Sequence, residues 1–384
     1  MLTVFETPEE LGKSSSPIIY FSRYRADQVD NGGARRSAQL RQLLEGYDVA
    51  VVSSLVNKQH ENARSPVKRS KILLDQAVRA FVRCRMRKYS EEFGRWLFFS
   101  DRRANRWVQA LQCRIKPSLV ILDDPIFFPS LIRFCTKQGI PVIAHCHNIE
   151  TLSRGQVSSN YQLELLRYEL GLLTQCRGVV TISSEEAFLL RNLGITTGFL
   201  PYHPPEPIKQ QLLHIRKLRI DTPKRDFLLL GSAGNVPTRK GMMQLLAAWE
   251  RMGWASGERL IVAGYGTEVL REAASIPGVD FCGDINDDTL AGLLIRIRSG
   301  IVYQEEGAGA LTRIGEYLLA GVPVVVNNHA ARSWHNFLGV IEFKRFDELR
   351  NILTGLISIV PEVAIPSSPD SSELHRLLDP FLIG

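Results

Sequence analysis

Thr312-Arg313-Ile314-Gly315-Glu316-Tyr317-Leu318-Leu319-Ala320-Gly321, running on into Val322-Pro323-Val324-Val325-Val326, is the stretch on which the reading of this 384-residue chain turns. Its apolar residues predict a helix over 311–320, and the β-branched run after Gly321 predicts a buried strand over 322–326. Immediately upstream lies Glu305-Glu306-Gly307-Ala308-Gly309-Ala310-Leu311, where a strand expected at 300–303 must give way to the helix. Glycines at a strand-to-helix turn leave backbone N–H groups open to an anion, and Arg313 adds a full positive charge. Glu316, one turn further on, has the reach to accept from two vicinal ribose hydroxyls. The competing reading is a helix-start glutamate favoured only by the macrodipole.

Outward from this stretch the pattern repeats. Strands are expected at 17–20, 48–53, 118–122, 141–145, 178–182 and 197–200, with helices near 34–45, 70–113, 127–138, 158–174 and 184–193. Prolines at 201, 204, 205, 207 and 223 mark an interdomain linker over 201–225. The alternation then restarts, with strands near 226–231, 259–263, 279–282, 300–303, 322–326 and 340–343, and helices near 240–252, 267–274, 287–298, 311–320 and 345–358. This is the signature of two α/β domains, each a doubly wound Rossmann-like parallel sheet, with ligand loops at the C-terminal strand ends. The expected boundaries are 1–205 and 206–384, the last helix packing back on the N-terminal domain.

Composition agrees with a globular chain large enough for two cores, at 45% hydrophobic and 23% charged residues. The first ten residues do not read as a secretory signal, and the apolar runs fall short of a membrane span. Six cysteines without CxxC pairing fit a reducing cytoplasm. The formal charge of +7 is concentrated in 61–116, which holds fifteen Lys/Arg against five Asp/Glu interleaved with Phe81, Phe93, Trp96, Phe98, Phe99 and Trp107. Cations and aromatics on amphipathic helices suit docking at the anionic inner face of a membrane, with a lipid-linked acceptor as the corollary. No nucleic-acid motif accompanies them, and a solvated basic face is the plainer alternative.

Three further stretches carry candidate chemistry. Gly231-Ser232-Ala233-Gly234-Asn235-Val236-Pro237-Thr238-Arg239-Lys240-Gly241 follows a strand and precedes a helix, so Gly234, Arg239 and Lys240 form a candidate diphosphate cradle without any dinucleotide or P-loop fingerprint. Gly32 and Gly33 open the first helix after strand 17–20 and allow close backbone approach. Pro141-Val142-Ile143-Ala144-His145-Cys146-His147-Asn148-Ile149-Glu150 is a strand that delivers polar residues at its C-terminal end. The His145-Cys146-His147 trio lacks a second cluster to complete a metal site, so no metal and no cofactor are expected.

Together these segments resemble the family-4 retaining glycosyltransferases of GT-B fold. The likeness rests on Glu316 to Val325, on Gly32-Gly33, and on Pro141–Glu150, Val179–Glu186, Leu260–Gly266 and Val279–Gly283. It implies two domains facing across a cleft, Arg239 or Lys240 and Arg313 on the donor diphosphate, Glu316 on the ribose, and Gly32-Gly33 toward diphosphate or acceptor. It implies His147 as the catalytic-site histidine facing the transferred sugar, with backbone carbonyl and orientation stabilising charge at the anomeric carbon. Asp123-Asp124 are not read as the metal aspartates of the other transferase fold. One departure is plain: where the family pattern has an earlier glutamate, position 308 is alanine, with Glu305 and Glu306 nearby. The expected function is transfer of a sugar from a nucleotide-diphosphate donor to a glycan or lipid-linked glycan, with retention and without metal, in polysaccharide or glycoconjugate biosynthesis. The alternatives are a catalytically silent partner subunit and a hydrolysing epimerase.

Overall fold

The computed structural model describes residues 2–5, 18–25, 27, 29–53, 117–152, 161–254, 257–273 and 276–381. The basic segment 61–116, with its expected membrane-docking helices, lies outside the described residues. Two compact units emerge, one from Met1–Pro201 with Asp370–Gly384 and the other from Tyr202–Pro369.

The first unit contains β1 (Leu2–Phe5), β2 (Ile18–Ser22), β3 (Val49–Ser53), β4 (Leu119–Asp123), β5 (Val142–Cys146), β6 (Gly178–Thr181) and β7 (Thr197–Phe199). They form one parallel sheet in the order β1-β3-β2-β4-β5-β6-β7. Side chains alternate across it, so apolar residues are needed on both faces. Ile19, Phe21, Val120 and Leu122 pack with Phe127 and Phe128 on one face. Ile18, Tyr20, Val49 and Ile121 pack with Leu374 and Leu378 of helix Ser372–Leu378 on the other.

The second unit contains β8 (Arg225–Leu230), β9 (Leu260–Ala263), β10 (Val279–Gly283), β11 (Ile297–Val302), β12 (Val324–Asn327) and β13 (Val340–Phe343), a parallel sheet in the order β10-β9-β8-β11-β12-β13. Leu228 faces a cluster with Leu318 and Leu319 of helix Thr312–Leu319, while Phe227 and Leu229 face Trp249 of helix Val236–Met252. Each fully buried side chain of this size contributes about 1.5–3 kcal/mol over leaving it exposed. Strand order reverses between β2 and β4 in one sheet and between β8 and β11 in the other. Loops leaving the C-terminal ends on either side of such a reversal diverge and open a ligand crevice.

Several elements depart from the sequence-based expectation. Strand β1, which pairs with β3, has no counterpart among the expected strands. The stretch 201–225, expected to link the domains, holds a 14-residue helix, Glu206–Arg219. Its Arg216 donates to the Leu318 carbonyl and its Arg219 to the Gly321 and Leu294 carbonyls, satisfying the open ends of two neighbouring helices. Helix Val236–Met252 starts four residues earlier than the expected 240, because the Asn235 side chain accepts from Thr238 N at 3.1 Å and Pro237 suits the first turn. Arg239 and Lys240 are therefore helical residues. No helix among the described residues is long and apolar enough to cross a membrane.

Candidate functional site

At the second reversal, the loop after β8 and the start of helix Thr312–Leu319 come together. This helix has no side-chain cap at Leu311, so its first N–H groups lack the side-chain partner that Asn235 supplies to its neighbour. Arg313 lies against the start of the β8 loop: its Nη1 donates to the Leu230 carbonyl at 3.2 Å, and a Cβ on Gly231 would come within 2.7 Å of it. Arg313 Nε is buried with no hydrogen-bond partner. Burial lowers the guanidinium pKa, though arginine stays cationic at neutral pH. One turn on, Glu316 accepts from the Tyr202 hydroxyl at 2.6 Å. Arg313, Glu316 and the Gly231–Asn235 loop, distant in sequence, thus form one cluster, with Gly234 exposed and beside the Tyr265 ring.

The other expected donor residues sit differently. Arg239 folds back on the same loop, its Nη1 3.3 Å from the Ala233 carbonyl. Lys240 turns to Glu306 at 2.9 Å. Glu305 is engaged by Gln244 at 2.8 Å and by the Tyr303 hydroxyl. Gly309 adopts φ 69°, and its carbonyl is held by Arg332, which also reaches the carbonyls of Ala308 and His329 and the Gln304 side chain. One buried guanidinium from beyond β12 therefore braces the glycine loop. Sequence reading missed both Arg332 and Tyr202, because neither stands in a recognisable motif and their partners lie far along the chain.

At the first reversal, β4 and β5 end side by side with Asp123 in register with His145. Asp123 is fully buried, and its Oδ2 accepts from the hydroxyls of Tyr20, Ser22 and Ser37. Its Oδ1 accepts from His145 Nδ1 at 2.7 Å. His147 Nδ1 lies 3.3 Å from Asp124 Oδ2, and the ring stacks under Tyr24 at 5.8 Å. The His147 carbonyl accepts from Arg36 at 3.2 Å. The imidazole is only 2% exposed, and burial holds its pKa below the usual histidine range. Gly33 permits a close approach here by Tyr24, whose hydroxyl would lie 2.0 Å from a Cβ at that position; Gly32 is the first residue of the same helix, capped by Asn31.

Asp123, His145 and His147 place three potential ligand atoms within 4.8 Å of one another. His145 Nδ1 on Oδ1 and three hydroxyls on Oδ2 make Asp123 the hydrogen-bond hub of this group. Cys146 points to the opposite face of β5, among Ala144, Leu173 and Val179.

The backbone after His147 is gripped by two more buried carboxylates. Glu186 accepts from Ile149 N, and Glu169 accepts from Glu150 N, Thr151 N and the Thr151 hydroxyl. Glu150 itself is buried, and burial together with the Asp124 charge pushes its pKa up to about 8, against the pull of Arg23. A raised carboxyl pKa means the folded state holds a proton that the unfolded chain has released, so stability falls as pH rises from the unfolded value toward the folded one. Neutral His147 opposes this only below about its ordinary pKa of 6.5. Between pH 6.5 and 8 the melting temperature is expected to fall by a few degrees, and Glu150→Gln should flatten that slope in thermal melts taken across the window, since about 1 kcal/mol corresponds to a few degrees.

Residues 32–198 match the model of Glycosyltransferase Family 4. Solved structures of sugar-phosphate synthases are similar in fold. The alpha,alpha-trehalose 6-phosphate synthase of Burkholderia multivorans superposes with a TM-score of 0.59 at 11% identity, covering 89% of this chain and 88% of that one. Sucrose-phosphate synthase of Thermosynechococcus elongatus gives 0.58 at 15% identity, covering 96% and 95%. Residues 32–198 are thus similar to Glycosyltransferase Family 4, and the chain has the GT-B fold. A third relative in shape, Anabaena HepE in complex with UDP, gives 0.55 at 14% identity over 89% of this chain and 90% of that one. No curated protein matches the sequence.

Proposed function

We propose that the protein is a glycosyltransferase that binds a nucleotide-diphosphate sugar in its second unit and transfers the sugar, with retention and without a metal, to a hydroxyl of a glycan or lipid-linked glycan. The observation that carries this reading is the convergence of Arg313 and the β8 loop at the uncapped start of a helix whose next turn presents Glu316. A helix start and a guanidinium neutralise a diphosphate, and a carboxylate one turn away receives ribose hydroxyls. The UDP bound to HepE, a relative in shape, supports a uridine nucleotide as the first donor to try.

In this reading Arg313 stabilises the leaving diphosphate, which takes the acceptor proton on the same face, and charge stabilisation of that leaving group supplies most of the rate. His147, whose carbonyl accepts from Arg36, is the candidate for stabilising charge on the transferred sugar. Tyr202 holds the Glu316 carboxylate in the orientation that the ribose requires.

The rival reading, a binding subunit without turnover, draws on Ala308 and on Glu305 and Glu306 being tied to Gln244, Tyr303 and Lys240. Thermal-shift measurement against a panel of nucleotide sugars should raise the melting temperature for the cognate donor, because a ligand bound only by the native state adds to its stability. Glu316→Ala should abolish the heat of binding in calorimetry; unchanged affinity would remove the ribose assignment. Release of nucleoside diphosphate only when acceptor is added separates transferase from silent subunit.

A further inference from the structure

We propose that Asp123 is the positioning residue of the first-unit site, one buried carboxylate that sets the tautomer of His145 and the orientation of His147. The role assigned to His147 rests on the transferase reading above; the placement of the two rings by Asp123 does not.

The geometry is unusual for a merely structural aspartate. An ionised carboxylate in a protein core costs several kcal/mol to desolvate, and well-packed apolar residues often serve as well or better. Asp123 sits at the end of β4, beside the strand reversal, and gathers donors from three other elements. These are Tyr20 and Ser22 on β2, Ser37 on the first helix, and His145 on β5. The three hydroxyls occupy Oδ2 and leave Oδ1 to the histidines. The 2.7 Å contact requires His145 to carry its proton on Nδ1, because an ionised carboxylate can only accept. Asp123 is kept ionised: against burial, the His145 hydrogen bond and the neighbouring His147 ring hold it well below the usual carboxylate range.

His147 Nε2 lies 3.7 Å from the same Oδ1, beyond hydrogen-bond length, and is buried with no hydrogen-bond partner. A buried polar atom in that state is costly, and here it lies beside the anion that would hold a proton on it. The charged and titratable groups around this ring include Asp123, Asp124, His145 and the stacked Tyr24, with Arg36 on its carbonyl. Asp123 thus fixes one imidazole by a direct bond and biases the second through space, while the hydroxyl collar keeps the carboxylate from rotating. This is how an outer partner decides which ring nitrogen carries the proton.

The test begins with the unaltered protein. Nitrogen chemical shifts of the imidazoles at pH 7 should report His145 protonated on Nδ1; the Nε2–H tautomer would overturn the proposal whether or not the protein transfers sugar. In Asp123→Asn, which keeps shape and lets the three hydroxyls reorient, the His145 shifts should change and the His147 titration midpoint should fall. With the cognate donor, kcat should drop about 100-fold, the usual result of misplacing a reacting-site group by about 1 Å, with donor KM little changed. A folded Asp123→Asn variant with wild-type imidazole shifts and wild-type kcat sinks the idea. A wild type that never turns over, but whose His145 carries the expected tautomer and loses it in Asp123→Asn, sinks the transferase reading alone.

Discussion

An Arg313→Ala variant is expected to bind nucleotide-diphosphate sugar about 100-fold more weakly than the wild type, a loss of about 3 kcal/mol in a calorimetric titration, within the range for truncating one partner of a buried charge pair. The reason is local. Arg313 approaches the backbone of Leu230 and Gly231, so its charge stands where the β8 loop and the helix start converge. Removing it leaves the backbone dipoles and Arg239, which is turned toward the Ala233 carbonyl of the same loop. Arg313→Lys should recover little, because a point ammonium cannot reproduce the planar fork that reaches both the Leu230 carbonyl and a ligand oxygen. Melting temperature in the absence of ligand is the control for the lost packing of Arg313 and its hydrogen bond to Leu230. Equal affinities in variant and wild type would move the phosphate site elsewhere.

Gly241→Ala is expected to destabilise the second unit by about 3 kcal/mol, at the upper end of the usual cost of overpacking. In an exposed helix the same change would stabilise by roughly 0.5–1 kcal/mol, because alanine has the better helix propensity. Here the added Cβ would lie 2.1 Å from the Tyr303 carbonyl, which is backbone and cannot rotate aside. The contact fixes helix Val236–Met252 against the end of β11, and so fixes the β8 loop relative to the glycine loop that follows β11. The sign of the effect decides between the two: a thermal or urea melt showing higher stability for Gly241→Ala would mean that the helix does not pack this closely. Loss of nucleotide binding alongside lower stability is the expected companion, since both loops would shift.

Much of the architecture is legible without coordinates. Twelve of the strands lie where β-branched runs predict them, because a doubly covered parallel strand must be apolar on both faces and so leaves a plain trace in the sequence. Strand β1 leaves no such trace: a four-residue strand at a sheet edge has little periodicity to read. The helix in 201–225 is hidden by prolines that stand before and within its first turn, where they are compatible with a helix, and by a polar composition that conceals a narrow buried stripe at Leu212, Ile215 and Arg219. The early start of helix Val236–Met252 is concealed in the same way, by an asparagine cap and a proline that look like loop.

The candidate site is legible only in part. Arg313 and Glu316 stand out because their spacing along one helix is a local property. The sequence by itself determined the alternation of strands and helices, the two glycine-bearing turns and the family-4 likeness, since each depends on residues a few positions apart. Tertiary structure alone decided which side chains share a ligand or a proton. It tied Lys240 to Glu306 and Glu305 to Gln244 and Tyr303, set Tyr202 on Glu316 and Arg332 under the glycine loop, and gathered three hydroxyls and a histidine onto Asp123. Most of these partners lie 22, 28, 61, 66, 101 or 114 residues apart. A hydrogen bond extends about 3 Å, so it is set by which strand ends lie side by side, and that order is established only when the sheets form.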